Sequence, residues 1–147
     1  MPKLSPTVPF VHPGCQIVNS TFGQYCEVGE GSRVLNSTSE DYAYCDRRSD
    51  ITNTTVGKFA NIAAMTLIGP TDHPMAHASL HHFLYRPTYC RDNVGNDAAF
   101  MAHRASRRTM IGPDTWLGHG VIVKPEVTIG AGGRHRLGRR GDQGRAA

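Results

Sequence analysis

The chain has little of what would place it in a membrane or on nucleic acid. Aromatic residues are 7% of its 147 residues, with one tryptophan. No apolar run approaches the roughly 20 residues of a helical membrane span. The first fourteen residues are proline-rich, carry a single lysine and lack the apolar centre of a signal peptide. Export is therefore not expected, and the expected location is the cytoplasm. An excess of one charge is also missing from most of the chain. The formal net charge is +4, but Arg134, Arg136, Arg139, Arg140 and Arg145 face one acid, Asp142, in the last fourteen residues. The remaining bases and acids balance, and no aromatics are interleaved with the tail arginines. Neither a nucleic-acid groove nor a membrane surface is indicated.

What is present is a repeat. Positions 17, 22, 28, 34, 39, 45, 51, 56, 62 and 68 follow one another in steps of 5, 6 and 6, three times over. They are Ile17, Phe22, Val28, Val34, Ser39, Cys45, Ile51, Val56, Ile62 and Ile68, mostly large and apolar. Two residues earlier sits a second track, Cys15, Ser20, Cys26, Ser32, Ser37, Ala43, Ser49, Thr54, Ala60 and Thr66, every one small. A helix of period 3.6 cannot generate this, and simple strand alternation does not require it. A coil with three flat sides does: one short strand per side, a large residue inward, a small one near each corner. Stacked coils then pair edge to edge. The register predicts an all-β chain, a triangular parallel β-helix. It breaks after Ile68 and resumes at Ile111, Leu117, Val123 and Ile129. Residues 69–108 are thus an inserted loop of some forty residues within a single domain spanning 1–131. A short helix is expected from Ala78 to Tyr85 and another from Ala98 to Arg108. Ser39-Glu40 replaces the aliphatic–glycine pair, so that corner is expected to be irregular.

A long excursion from a rigid repeat is where chemistry is expected. Five of the eight histidines fall there: His73, His77, His81, His82 and His103. His73 sits in Pro-Thr-Asp-His-Pro, directly after the register ends, with Pro70 and Pro74 restricting the backbone around it. Imidazole accepts and returns a proton near neutral pH, which makes His73 the candidate general base. The cysteines match no zinc spacing. Cys45 on the inward track and Cys15 and Cys26 on the small track read as reduced space-fillers; Cys90 is the exposed thiol. On position alone Trp116 reads as a corner-packing aromatic.

Together the hexads, the insertion and the resumed register resemble the hexapeptide-repeat acyltransferases, whose fold is a left-handed parallel β-helix. Gly69-Pro-Thr-Asp-His73-Pro-Met and Ile111-Gly-Pro-Asp-Thr-Trp116-Leu-Gly118 resemble the xenobiotic acetyltransferases, which act on streptogramin and chloramphenicol antibiotics. The run from His73 to Tyr85 is more similar to the subgroup associated with phosphonate metabolism. The resemblance implies acetyl-CoA as co-substrate, no metal, a small-molecule acceptor and a homotrimer with sites between neighbouring subunits. It puts the base at His73, the pantetheine arm along Trp116 and Gly118, and the acceptor near Asp72 and Tyr85, with Asp72 in reach of the His73 ring. The expected reaction is direct transfer of acetyl to a hydroxyl or amine in a ternary complex.

Two alternatives belong to other classes. One is a zinc hydratase of the γ-carbonic-anhydrase type, for which His77 and His82 are the candidate ligands. The other is an inactive, truncated trimeric scaffold. Residues 132–147 depart from the family pattern, which continues with further hexads. One legal set of codons for them, read a base further along, encodes Ala-Ala-Val-Ile-Ala-Ser-Gly-Ala-Val-Val-Thr-Lys-Asp-Val-Pro and keeps the steps of six. The expectation is that this basic tail is out of frame and disordered, and that the last round, Ile111 to Ile129, has an uncovered end.

Overall fold

The computed structural model describes residues 3–136. They are mostly β, in three parallel sheets of six, five and five strands. The first sheet stacks Phe10–Val11, Glu27–Val28, Tyr44–Cys45, Asn61–Ile62, Trp116–Leu117 and Arg134–His135. The second stacks Gln16–Val18, Arg33–Leu35, Asp50–Thr52, Leu67–Ile68 and Ile122–Val123. The third stacks Thr21–Phe22, Thr38–Ser39, Thr54–Val56, Thr109–Ile111 and Thr128–Ile129. Successive strands visit the three sheets in turn, an arrangement compatible with a parallel β-helix.

Pairing follows the sequence register. Ile17 faces Val34, Val34 faces Ile51, and Val28 faces Cys45. Across the insertion, Ile62 faces Leu117, Ile68 faces Val123 and Val56 faces Ile111. These residues form one core: Ile51, Ile62, Ile68, Leu117, Val28, Val34 and Val56 are almost wholly buried. Each such side chain contributes about 1.5–3 kcal/mol relative to exposure. The small track fits corners where backbone passes close by. Ser32 Oγ donates to the Asp46 carbonyl at 3.1 Å, and Thr54 Oγ1 to the Thr52 carbonyl at 2.8 Å. Their hydroxyls are thus satisfied where they are buried. The glycine that follows an inward residue has the same cause: a Cβ on Gly57 would meet the Pro113 nitrogen at 2.6 Å.

Two expectations need correction. The Ser39-Glu40 corner is regular: Ser39 pairs with Val56, and the Glu40 N–H donates to the Val56 carbonyl at 2.9 Å. Pairing is a backbone property and survives a small side chain; what changes is packing. Ser39 and Cys45 are the two small members of the inward track, and both line a cavity with Phe22, Val34, Ile51 and Val56. The second correction concerns the end of the sheets. Arg134–His135 pairs with Trp116–Leu117, and the Gly118 N–H donates to the His135 carbonyl at 2.7 Å. The Ile111–Ile129 round is therefore partly covered. His135 takes the inward slot half-buried, while Arg134 and Arg136 remain exposed to water. The expected disorder from 137 to 147 lies outside the described residues.

A third track, not read from the sequence, runs along the corners. Asn19, Asn36 and Asn53 adopt positive φ, as do Tyr25, Tyr42 and Phe59 one corner on. Bulky residues rarely take this conformation, and each such position costs on the order of 1 kcal/mol or more. Ladders between rounds hold them there. Asn19 Nδ2 donates to Asn36 Oδ1 at 3.3 Å, and the Tyr25, Tyr42 and Phe59 rings stack at 5.0 and 4.9 Å.

Thr71–Arg107 is a separate compact unit. It contains the 3-10 turns His82–Leu84 and Pro87–Tyr89 and the α-helix Ala98–Ser106. The helix expected from Ala78 to Tyr85 is reduced to the first of these turns. Pro87 disfavours helical backbone at Arg86, and His81 stands outside the turn as its cap, Nδ1 accepting the Phe83 N–H. The second helix forms close to expectation and starts at Asp97, whose carboxylate accepts the Phe100 N–H at 2.9 Å.

Candidate functional site

In the loop unit, His73 follows the Gly69–Pro70 exit from the sheets and precedes a buried proline, Pro74. Gly69 has φ +65°, and a Cβ there would lie 2.1 Å from the Thr52 carbonyl oxygen, so only glycine fits the exit. The His73 side chain is exposed, yet one edge of its ring is held. Nδ1 lies 2.7 Å from the Leu80 carbonyl oxygen. A carbonyl only accepts, so Nδ1 carries the proton and donates. The Tyr85 hydroxyl is 3.3 Å from the same nitrogen, a longer and secondary contact. In the neutral ring this tautomer leaves the Nε2 lone pair as the acceptor. A base needs this arrangement: one nitrogen anchored, the other available.

Tyr85 supplies the wall. Only 3% of it is exposed, and its ring meets His73 edge-on at 5.8 Å and Phe100 at 4.9 Å. Tyr85, the residue expected near the acceptor, is thus in contact with the His73 ring. Asp72 does not orient His73; its carboxylate pairs with the Arg107 guanidinium. Residues the sequence did not single out therefore matter here. Leu80 acts through a backbone carbonyl, which no side-chain pattern reveals. Arg107 lies 35 positions from the carboxylate it neutralises.

The other histidines are engaged differently. His77 tilts against Phe100, while His81 and His82 stack on each other at 4.3 Å and His82 meets Tyr89 edge-on. Among the described residues, no three His, Cys, Asp or Glu side chains converge as a metal-binding group. The pair proposed for zinc, His77 and His82, thus gains no third ligand.

Trp116 and Gly118 belong to the three-sheet unit. Trp116 points outward from the first sheet, about one-third exposed, opposite Asn61 and Arg134, with the Arg136 guanidinium 5.5 Å from its ring centre. Gly118 is buried, and a Cβ there would meet the His135 carbonyl oxygen at 3.0 Å. The chain's own backbone accounts for that glycine without a ligand. The cysteines fall as the register predicts: all four are free, Cys26 and Cys45 buried, Cys15 half-buried and Cys90 exposed. Burial pushes the Cys45 thiol up to about 11. Among the described residues no helix is long and apolar enough to cross a membrane.

Compared with models of protein families, with curated proteins and with solved structures, the chain has no match in any of the three.

Proposed function

We propose that the chain is an acetyl-CoA-dependent acetyltransferase built on a left-handed parallel β-helix and working as a homotrimer, with His73 as general base. The observation that carries this reading is the anchored tautomer of His73: Nδ1–H on the Leu80 carbonyl, Nε2 open on an exposed face. A hydroxyl or amine acceptor is a poor nucleophile while it holds its proton. Nε2 takes that proton as the acceptor oxygen or nitrogen attacks the thioester carbonyl. The bond to sulfur then breaks, and the CoA thiolate leaves and takes the proton from Nε2, which restores the neutral ring. The imidazolium formed at Nε2 keeps its Nδ1–H on the carbonyl, so the ring does not turn during transfer. Two bound substrates in contact are enough, and no acyl-enzyme is required. In this reading Trp116 lies along the pantetheine arm, and Asp72, tied to Arg107, borders the acceptor.

Incubation of the purified chain with acetyl-CoA and a panel of small alcohols, amines and phosphonate-bearing acceptors, reading released thiol, tests the proposal. Acceptor-dependent thiol release that disappears in His73→Ala supports it. Thiol release that persists in that variant, or acetyl-CoA binding absent by calorimetry, contradicts it; the latter result favours a non-enzymatic scaffold.

A further inference from the structure

The loop unit holds a second feature that base catalysis does not use. Arg86 lies between its two 3-10 turns and is half-buried. Its backbone N–H donates to the His82 carbonyl at 2.6 Å, fixing the start of the side chain. The guanidinium sits 4.4 Å over the Tyr89 ring, and Nη2 donates to the Tyr89 hydroxyl. Nε is enclosed and has no hydrogen-bond partner among the described residues. Nor does any carboxylate among them pair with this guanidinium. The acids of the unit are engaged or turned elsewhere: Asp72 with Arg107, Asp97 at the start of the helix, and Asp92 exposed in a turn.

A half-buried guanidinium with an orphaned N–H and, among the described residues, a neutral hydroxyl as its one acceptor is a costly arrangement. Arginine's planar fork is suited to two parallel bonds to one oxyanion. Tyr89 is 64% exposed, so its hydroxyl is an acceptor that an incoming group displaces without opening a core. We infer that Arg86 is the anchor of a binding site for a small oxyanion, a phosphoryl or carboxylate group, which takes the place of the Tyr89 hydroxyl and satisfies Nε. This inference is independent of the acetyl-transfer reading; where both hold, the site selects anionic ligands.

The test is titration of the full chain with inorganic phosphate and, separately, acetate at constant ionic strength, followed by calorimetry and by thermal shift. Saturable binding of at least one anion is expected, weakened by about tenfold or more in Arg86→Gln. Arg86→Lys keeps the charge but lacks the fork and is expected to weaken it several-fold; it also serves if the glutamine variant does not fold. His73→Ala is expected to bind the anion as the parent does, so this result and the catalytic one stand or fall separately. Repeating the titration with saturating acetyl-CoA identifies the source. Displacement assigns the oxyanion to a CoA phosphate, and additive binding assigns it to a separate anionic ligand. Absence of saturable binding by either anion, or equal binding in both Arg86 variants, overturns the inference.

Discussion

The three-sheet unit and the loop unit use their residues in opposite ways. In the sheets up to Ile68, each inward residue from Val34 onward repeats a role filled 17 positions earlier: Val34 stands on Ile17, Ile51 on Val34, Ile68 on Ile51; beyond the insertion Leu117 stands on Ile62 and Ile129 on Ile111. Cohesion is shared along columns. In Thr71–Arg107 nothing repeats. Tyr85 is the one buried large side chain there, and the unit is held by single contacts such as Asp72 with Arg107 and His73 with Leu80. The contrast teaches that stability resides in the repeated unit, while an exposed imidazole can be displayed on the other at little structural expense.

The sharpest way to break that contrast is to place the same charge in both units. Ile62 is 1% exposed in the middle of its column. Ile62→Asp puts an unpaired carboxylate there and is expected to cost about 3–5 kcal/mol or to prevent folding. Met75→Asp, at a residue 80% exposed in the loop, is expected to fall within about 0.5 kcal/mol of the parent. Thermal melts of the two variants make the comparison, and similar melts would show that the columns do not carry the fold.

A second substitution probes the junction. Gly69→Ala adds both a positive-φ penalty and a contact with the Thr52 carbonyl, so a loss of about 2–4 kcal/mol is expected by denaturant titration. Gly95→Ala, whose Cβ meets nothing within 4 Å, is the loop control and is expected to be near neutral.

The smallest effect concerns pH. Cys45 has its thiol raised by burial to about 11 from 9.0. A raised native value means that the unfolded chain loses its proton first as pH rises. The full stability is present below pH 9 and declines between about 9 and 11, by on the order of 2–3 kcal/mol from this group. Cys45→Val removes that group's part of the decline and fills space beside Ser39. Equilibrium unfolding of parent and variant from pH 8 to pH 11 checks both the slope and its sign.

The sheets were legible because their constraint recurs. A step of 5, 6 and 6 with two tracks in phase has few other physical causes, and Ile62, Ile111 and Leu117 lie where it puts them. The corner conformations were not legible. Tyr42, Phe59 and Met65 have no local preference for positive φ, and at Tyr42 and Phe59 stacking against neighbouring rounds holds it. Apolar character also misled at the end of the sheets. A histidine was not expected on an inward slot, yet His135 needs only half-burial there, and its backbone completes the pairing. In the loop, proline and glycine marked the position of His73, but not what holds it. The anchoring group is a carbonyl seven residues away, and the side chain nearest in sequence, Asp72, belongs to an arginine.

The central claim is that His73 supplies a proton acceptor while the sheets supply the fold. Its most direct test is one variant measured twice. His73→Ala is expected to lower acetyl transfer by about 10² to 10⁴ while leaving the melting temperature and acetyl-CoA binding close to those of the parent. Undiminished transfer, or a fall in transfer that tracks a fall in melting temperature, would contradict it.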